Sequence, residues 1–325
     1  MNNSKEKPLV KKEEITLAML GMVDGNGHPY SWSAIFNGYN PVEMKKCPFA
    51  AIQAYLDKEP KDTLQIKGAK VTHVWTDDPV DAIKVSKASL VPYIVNKPED
   101  VIGKVDAVII ATDKGHEHLE RCRPFVEAGL PIFVDKPLVE EEEDLKIFTK
   151  WVKNGAKIMS SSCMRYCKEF IPYHLSTHDL GEIRYASITT PKTWERYGIH
   201  ALEGIYPIFG PGFISVQNTG TIDRNVVHIK HINGADINVI AIKDMYGGFG
   251  VMQLLGTAGK VQTAFNDSFY AFKKQLEAFI QYLRTGVRPF PFDETQELMK
   301  LVIAGIRSRE EGGRIVRLDE IKCLP

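Results

Sequence analysis

The first half of the chain alternates short apolar runs with longer segments in which apolar residues recur every three or four positions. The clearest example spans residues 105–138, where the apolar runs 107–111 and 131–134 flank a helical pattern that ends at Gly129. Runs of this length, rich in Val and Ile, are typical of buried parallel strands. Strand, helix and strand in this order predict a βαβ unit. Because the alternation extends from residue 15 to residue 160, we predict a doubly wound parallel sheet, a Rossmann fold, for this half.

The pattern changes after residue 162. Short strand candidates now follow one another without long helices between them, at 183–189, 225–231, 237–243, 250–255 and 260–265. The pattern then predicts two helices, 270–284 and 294–310, and a small closing strand, 313–318. This series predicts an α+β domain with a largely antiparallel open sheet. Since the 325 residues exceed the size of one hydrophobic core, we predict two domains, 12–162 and 163–325, with a mobile polar arm before residue 14.

The charge balance narrows the class of partner. The chain carries 41 basic and 41 acidic side chains, so it lacks the positive charge with which proteins bind nucleic acid or acidic membranes. We therefore expect a small-molecule substrate. The N-terminal stretch has no signal-peptide core and no run is long enough to span a membrane, which predicts a cytoplasmic protein. The scattered cysteines predict no disulfide framework, and His116 and His118 lack a third ligand nearby, so no metal is predicted.

Candidate chemistry first appears where the βαβ unit ends. Its second strand delivers Asp135, Lys136 and Pro137 at the carboxyl end, the edge of an open parallel sheet where ligands bind. A surface lysine before a helix-starting proline would explain this tripeptide equally well if it stood alone.

Residues elsewhere in the βαβ unit support a functional role for the tripeptide. An Ala-Thr pair follows the first strand, a His lies near the start of the helix, and an Ala-Gly pair ends that helix: Ala111, Thr112, His118, Ala128 and Gly129. With them the chain resembles the Gfo/Idh/MocA oxidoreductases, whose tripeptide usually reads Glu-Lys-Pro. The resemblance implies an NAD(P) cofactor that contacts Asp135 and Lys136. It also implies that Ala111, Thr112 and His118 lie along the nicotinamide side of that cofactor.

The first strand leads into a glycine-rich turn, where the backbone of a Rossmann fold approaches the cofactor diphosphate. Gly25 and Gly27 supply the first two glycines, and His28 follows them. Tyr30 stands at the position of the third glycine, so the Gly-x-Gly-x-x-Gly pattern is incomplete.

The first three strands of this half are predicted over 15–20, 70–76 and 90–95, with a helix over 46–55 between the first two. Two acids follow the second of these strands. Asp77 is the candidate for the adenosine ribose hydroxyls, and since no Arg lies nearby in the sequence we predict NAD rather than NADP. Alternatively, Asp77 and Asp78 are both explained as caps of the helix that follows.

The second domain carries Gly198, His200 and Glu203 at the start of a helical pattern. These residues resemble the family signature Asp-x-Gly-x-His-x-x-Asp, except that Arg196 stands where the first Asp belongs. His200 and Glu203 share a helix face, and a carboxylate beside an imidazole raises its pKa, which suits a general base near neutral pH. A histidine satisfied within the core is the alternative explanation.

Four further residues are assigned to this site. Tyr197 is the candidate that completes the catalytic site in place of the missing Asp. Arg196 has the geometry to bind a substrate carboxylate or phosphate bidentately. The resemblance puts Arg165 close to the substrate cleft, and we assign Glu203 to substrate binding with it.

The sequence thus predicts an NAD-dependent oxidoreductase that transfers a hydride between nicotinamide and a secondary alcohol or ketone of a sugar, cyclitol or sugar-derived acid. His200 removes the hydroxyl proton, and Lys136 hydrogen-bonds the oxygen on which charge develops. Two alternatives stay open: an NAD-dependent glycosidase of the same superfamily, and a non-catalytic NAD-binding sensor, for which Arg196 is the one hint. Family members commonly pair through the open sheet, so we predict a homodimer or homotetramer formed through 238–242 and 251–255.

Overall fold

The first half of the chain forms a parallel sheet with helices between its strands. The computed structural model describes residues 7–323. Within that range six strands form the first sheet: β1 (Ile15–Leu20), β2 (Ala69–Trp75), β3 (Tyr93–Ile94), β4 (Ala107–Ile110), β5 (Ile132–Val134) and β6 (Ile158–Ser160). They lie in the order β3-β2-β1-β4-β5-β6, and all pairings are parallel. This is the strand order of a dinucleotide-binding Rossmann fold, with its ligand crevice where the order reverses. The predicted fold class is confirmed.

The helices of this half begin where the local sequence supplies a cap. They are α1 (His28–Asn37), α2 (Pro41–Met44), α3 (Ala50–Leu56), α4 (Pro79–Ala88), α5 (His118–Glu127) and α6 (Glu142–Lys153). Asn40 and Asp78 accept hydrogen bonds from backbone N–H groups in the first turns of α2 and α4. The helix predicted over 46–55 begins only at Ala50, because Pro48 disfavours helical geometry at the residue before it.

The second half forms a mixed sheet that is antiparallel except at one pairing. Its strands are β7 (Ile183–Pro191), β8 (Phe213–Asn218), β9 (Arg224–His231), β10 (Asp236–Ile242), β11 (Val251–Gly256), β12 (Lys260–Ala264) and β13 (Val316–Arg317). They lie in the order β12-β11-β7-β10-β9-β8-β13, and only the β7–β10 pairing is parallel among the described residues. The helices of this half are α7 (Ile171–Leu175), α8 (Ile199–Phe209), α9 (Ser268–Thr285) and α10 (Phe292–Glu310). The predicted α+β arrangement is confirmed, although β8 was not predicted.

Helix α9 returns from the second half to the first sheet. Its Phe279 ring lies 5.5 Å from the ring of Phe133 on β5. The backbone N–H groups of Leu9 and Val10 donate to the carbonyl oxygen of Leu283 at the end of α9, at 2.9 and 3.0 Å. This part of the predicted arm is therefore fixed, while residues 1–6 lie outside the described range. No helix within residues 7–323 is long and apolar enough to cross a membrane.

Candidate active site at the carboxyl edge of the parallel sheet

Lys136 is buried where β5 ends at the carboxyl edge of the first sheet. Only 1% of its surface is exposed. Its Nζ lies 3.3 Å from the carbonyl oxygen of Arg196, 3.7 Å from Oδ2 of Asp113 and 4.6 Å from the centre of the Tyr197 ring. A buried ammonium group is costly unless acceptors and opposite charge surround it. Lys136 therefore belongs to a built polar site and is not a surface lysine.

Asp135 joins three loops at this edge. Its Oδ2 accepts a hydrogen bond from Asn26 Nδ2 at 3.2 Å and lies 2.7 Å from His28 Nδ1. Asn26 also donates to the carbonyl oxygen of Ala111 at 3.0 Å. The loops that follow β1, β4 and β5 are thus held together by two predicted cofactor residues, His28 and Asp135, and by Asn26, which was not predicted.

The glycine-rich turn uses its glycines for two different purposes. Gly25 has a φ of +73°, a conformation that L side chains rarely adopt. Gly27 caps α1, and a Cβ there would come within 2.6 Å of the side chains of Phe49 and Ile52. Gly27 therefore permits the start of α3 to pack closely against the start of α1, whereas the third glycine of the dinucleotide pattern serves helix-to-strand packing.

Two cations from the second half of the chain reach over this turn. Lys192 Nζ donates to the carbonyl oxygen of Gly25 at 3.1 Å, and Arg196 Nη2 donates to that of Asp24, also at 3.1 Å. Burial and the nearby charges of Lys136 and Arg196 lower the pKa of Lys192 to about 8, although Asp113 opposes them. Positive charge is thus concentrated at the turn that binds a diphosphate in Rossmann folds.

His200 lies in the first turn of α8, directly after a single π-helical turn, Trp194–Gly198. Its Nδ1 lies 2.6 Å from Ser162 Oγ, and the Tyr197 ring packs against it at 4.7 Å between centroids. Burial lowers the pKa of His200 well below its usual value, and the positive charge of Lys136 lowers it further. The prediction of a raised pKa is therefore wrong, and the imidazole is neutral at neutral pH.

Glu203 pairs with Arg165 rather than with His200. The two side chains are 3% and 9% exposed and form an ion pair, and Glu203 Oε1 accepts a hydrogen bond from the backbone N–H of Ser162 at 3.2 Å. Arg165 also donates to Glu294 Oε2 at 2.7 Å. Two residues predicted to contact the substrate thus contact each other here, and their contact with substrate stays a prediction.

Tyr197 lies between two ammonium groups. The Nζ atoms of Lys136 and Lys192 lie 4.6 and 4.2 Å from the centre of its ring, so each makes a cation–π contact. Burial raises the pKa of the Tyr197 phenol, and the negative charges of Asp113 and Asp135 raise it further. The phenol therefore keeps its proton at neutral pH and suits a hydrogen-bond donor better than a base.

Asp77 has an arginine partner, which contradicts the expectation that no Arg lies nearby. Its Oδ1 accepts a hydrogen bond from Arg121 Nη2 at 2.7 Å, and its Oδ2 accepts one from the backbone N–H of Met22 at 3.0 Å. Arg121 lies on α5, 44 residues away in the sequence, so spacing did not reveal it. The same Nη2 also donates to Glu117 at 2.7 Å. Asp78, in contrast, caps α4.

A small, mostly apolar cavity lies next to Arg121. Its volume is about 250 Å³, and it is lined by Leu20, Trp75, Pro98, Glu99, Ile110, Glu120, Arg121 and Phe125. Thr112 Oγ1, at the end of β4, is buried without a hydrogen-bond partner. NAD would form contacts with three groups here: the apolar cavity, the carboxylate of Asp77 after β2 and the unpaired hydroxyl of Thr112.

The two histidines of this region have separate partners. His118 is buried, and its ring nitrogens lie 2.8 Å from the carbonyl oxygen of Thr112 and 3.1 Å from that of Leu138. His116 faces Glu140, with 3.3 Å between Nδ1 and Oε2. Among residues 7–323 no group of three His, Cys, Asp or Glu side chains is arranged to hold a metal ion.

The site contains residues that the sequence did not predict: Asn26, Asp113, Arg121 and Ser162. Asp113 follows Thr112 directly at the end of β4, so the rule that selected Lys136, that ligands bind at the carboxyl ends of parallel strands, also covers it. Ser162 gives no such signal, because it lies 38 residues before His200 in the sequence and only the fold brings the two together.

The strand order and the polar side chains at its carboxyl edge define a dinucleotide-binding protein of the Rossmann class. Residues 47–162 match the model of the Gfo/Idh/MocA family, described as an oxidoreductase family with an NAD-binding Rossmann fold. This part of the chain therefore matches an NAD-binding oxidoreductase family, which confirms the resemblance and the predicted cofactor. No curated protein matches the sequence.

Solved structures share the fold over nearly the whole chain. Myo-inositol 2-dehydrogenase from Lactobacillus plantarum is 16% identical, with a TM-score of 0.74 over 94% of this chain and 99% of its own. Scyllo-inositol dehydrogenase from Lactobacillus casei, solved with bound NAD(H) and scyllo-inositol, is 14% identical, with the same TM-score and the same coverage of both chains. A probable dehydrogenase from Thermotoga maritima is 15% identical, with a TM-score of 0.72 over 95% of this chain and 100% of its own.

Proposed function

We propose that this oxidoreductase is an NAD-dependent dehydrogenase or reductase of a secondary alcohol in a sugar, cyclitol or sugar-derived acid. The observation that carries the proposal is that the side chains of Lys136 and His200 both contact the ring of Tyr197. Lys136 Nζ lies 4.6 Å from the centre of Tyr197, and the imidazole centroid lies 4.7 Å from it. A hydrogen-bond donor and a neutral imidazole are the two groups that removal of an alcohol proton requires.

Bound NAD would supply the hydride acceptor, which no side chain provides. The residues expected to hold it are Gly25, Gly27, His28, Asp77, Ala111, Thr112, His118, Asp135 and Lys136. In our proposal Lys136 donates a hydrogen bond to the substrate oxygen, and His200 accepts the hydroxyl proton at Nε2 while Nδ1 faces Ser162. Tyr197 shields the Lys136 ammonium from solvent and offers its phenol proton to the substrate.

Two observations guide the choice of substrate. The solved relatives named above include inositol dehydrogenases, so cyclitols come first in our proposal. Arg196 and Lys192 bring positive charge to the cleft, so a sugar acid is the second candidate, with Arg165 and Glu203 as further contacts of the sugar hydroxyls. Assembly into a homo-oligomer and a cytoplasmic location also stay predictions.

A substrate panel tests this proposal. The purified protein is incubated with NAD and with inositols, sugars, sugar acids and nucleotide sugars, and NADH is followed by its absorbance. We expect turnover with at least one cyclitol or sugar acid. With that substrate Lys136→Ala should lower kcat by roughly two to three powers of ten, the scale of losing one donor to developing negative charge.

A matched control separates this effect from a general loss of fold. Lys84 lies on α4 with its side chain 51% exposed, so Lys84→Ala should keep the wild-type kcat. NAD affinity, measured by fluorescence titration, should change much less than kcat in Lys136→Ala and should stay at the wild-type value in Lys84→Ala. Substrate cleavage without net NADH would instead indicate an NAD-dependent glycosidase, and a Lys136→Ala variant with the wild-type rate would contradict the proposed role of Lys136.

A further inference from the structure

Lys136 needs a carboxylate partner, and the structure provides one in the loop that follows the neighbouring strand β4. Of the carboxylates in the described range, Asp113 forms the ion pair with Lys136, with 3.7 Å between Oδ2 and Nζ. Both side chains are 2% exposed. Removing one partner of a buried pair leaves an uncompensated charge, so the placement of the Lys136 ammonium depends on Asp113.

Asp113 is itself fixed from the opposite side of the cleft. Arg196 donates to it through two nitrogens, with Nη2 2.6 Å from Oδ1 and Nε 3.3 Å from Oδ2. Burial alone would raise the pKa of Asp113, but Lys136 and the bidentate Arg196 outweigh burial and lower that pKa to about 2. The carboxylate is therefore charged throughout the neutral range and cannot serve as a proton acceptor there.

The same contacts explain the reversed charge at position 196. The family signature quoted above has a carboxylate at this position, in the turn before α8, whereas this chain has a guanidinium group. Here the guanidinium of Arg196 binds the carboxylate of Asp113 from the loop after β4. The backbone carbonyl of Arg196 accepts a hydrogen bond from Lys136. One negative charge next to Lys136 is thus kept, but a different element of the fold supplies it.

We infer that Asp113 is the positioning residue for Lys136, and that it replaces the carboxylate which the signature would supply at position 196. This inference rests on the proposed function, because Lys136 must act on the substrate for its placement to affect the rate. Asp113 directs the ammonium toward the substrate oxygen and is held in place by Arg196. It touches neither substrate nor cofactor in this role.

Steady-state kinetics of Asp113→Asn test the inference, with the substrate found in the panel above. We expect kcat to fall on the order of tenfold to a hundredfold, as for a misplaced catalytic group, while KM and the Kd of NAD change less than about threefold. The double variant D113N/R196D returns a carboxylate to position 196 and should recover most of the lost kcat. If Asp113 served only to stabilise the fold, a carboxylate at position 196 would not be expected to restore kcat.

Asp106 provides the matched control, because it lies at the opposite end of β4. Its Oδ2 accepts hydrogen bonds from the backbone N–H and the hydroxyl of Thr16, so Asp106→Asn should lower the unfolding temperature without changing kcat. Wild-type kcat in Asp113→Asn, or a double variant no more active than the single one, would overturn the inference. Failure of the proposed function would look different, since the wild-type protein would then produce no NADH from any compound of the panel.

Discussion

At the scale of single residues, burial decides the chemistry of His200 more strongly than its neighbours in sequence do. The helical spacing correctly puts His200 and Glu203 on one side of α8, but Glu203 is taken by Arg165 and His200 faces Ser162. The positive charge of Lys136 then lowers the pKa of His200 in the same direction as burial does. A histidine kept neutral in this way is available as a base over a wide pH range.

This arrangement predicts the pH dependence of alcohol oxidation. The base is active when His200 is neutral, that is, at pH values above its pKa in the folded protein, and this pKa lies well below the usual value of 6.5. The kcat/KM of the wild-type protein should therefore stay level through neutral pH and fall only in clearly acidic solution. In His200→Ala, kcat should drop on the order of a hundredfold or more and this acid limb should disappear.

The control for this profile is His178→Asn, which replaces an exposed histidine in the turn before β7 and should leave the profile unchanged. An acid limb that persists in His200→Ala would mean that another group titrates. A wild-type rate in that variant would assign the proton transfer to Tyr197 or Lys136.

The sequence predicted the catalytic candidates Lys136 and His200 more successfully than it predicted their partners. Lys136 and His200 were found because each lies in a short motif that resembles the family signature, and such a motif can be read from a single segment. Their partners Asp113 and Ser162 come from other elements, 23 and 38 positions earlier in the numbering. Only the assembled fold sets such pairs, and burial, the largest influence on the pKa of His200, is likewise a property of the assembled fold.

At the scale of elements, we expect the turn after β2 and helix α5 together to set the cofactor preference. Asp77 follows β2 by two residues, and we expect it to accept hydrogen bonds from the ribose hydroxyls of NAD and to repel the 2′-phosphate of NADP. Arg121 does not reverse this preference, because two carboxylates, Asp77 and Glu117, already accept its hydrogen bonds. We expect NAD to bind at least tenfold more tightly than NADP, a difference of about 1.4 kcal/mol.

Removing the Asp77 carboxylate should change this preference. In Asp77→Ala, Arg121 loses one of its two acidic partners, so NAD should bind more weakly and NADP more tightly, each measured by fluorescence titration. The added change Arg121→Ala should cancel the gain for NADP. Asp78→Asn is the control, since Asp78 caps α4 through the N–H of Val80. Tighter binding of NADP than of NAD by the wild-type protein would show that the ribose site is assigned to the wrong acid.

Elements with a strong local pattern were predicted to within a few residues, and elements defined by their partners were not. The strand β1 was predicted with its exact bounds, because it is a buried apolar run that follows a polar segment. The strand β8 was missed, since Phe213–Asn218 mixes apolar and polar residues and is identified by its pairing with β9 and β13. Of the strand predicted over 90–95, only two exposed residues, Tyr93 and Ile94, form a strand in the structure, and they lie at the edge of the sheet.

At the scale of the whole molecule, the outer face of the second sheet is the expected oligomer interface. On β10 the buried Val239 and Ala241 alternate with the half-buried Ile240 and Ile242, and Val226 on β9, which pairs with Ile240, is 44% exposed. The seven strands are 2 to 9 residues long. With a spacing of about 4.8 Å and a rise of about 3.3 Å per residue they give a face of roughly 700 Å². Two such faces bury about 1,400 Å², which lies within the range for a stable interface.

We therefore expect light scattering to report a homodimer or homotetramer at micromolar concentration. Ile240→Lys should shift the protein toward the monomer, because a lysine in the middle of the face would be buried without a partner. Leu175→Lys is the control: Leu175 lies on α7 and is 81% exposed, so a charge there should leave the assembly intact. NAD affinity should be similar in both variants, since the face lies on the second sheet and the cofactor residues lie on the first. A monomeric wild-type protein, or an Ile240→Lys variant that assembles as the wild type does, would show that this face is not the interface.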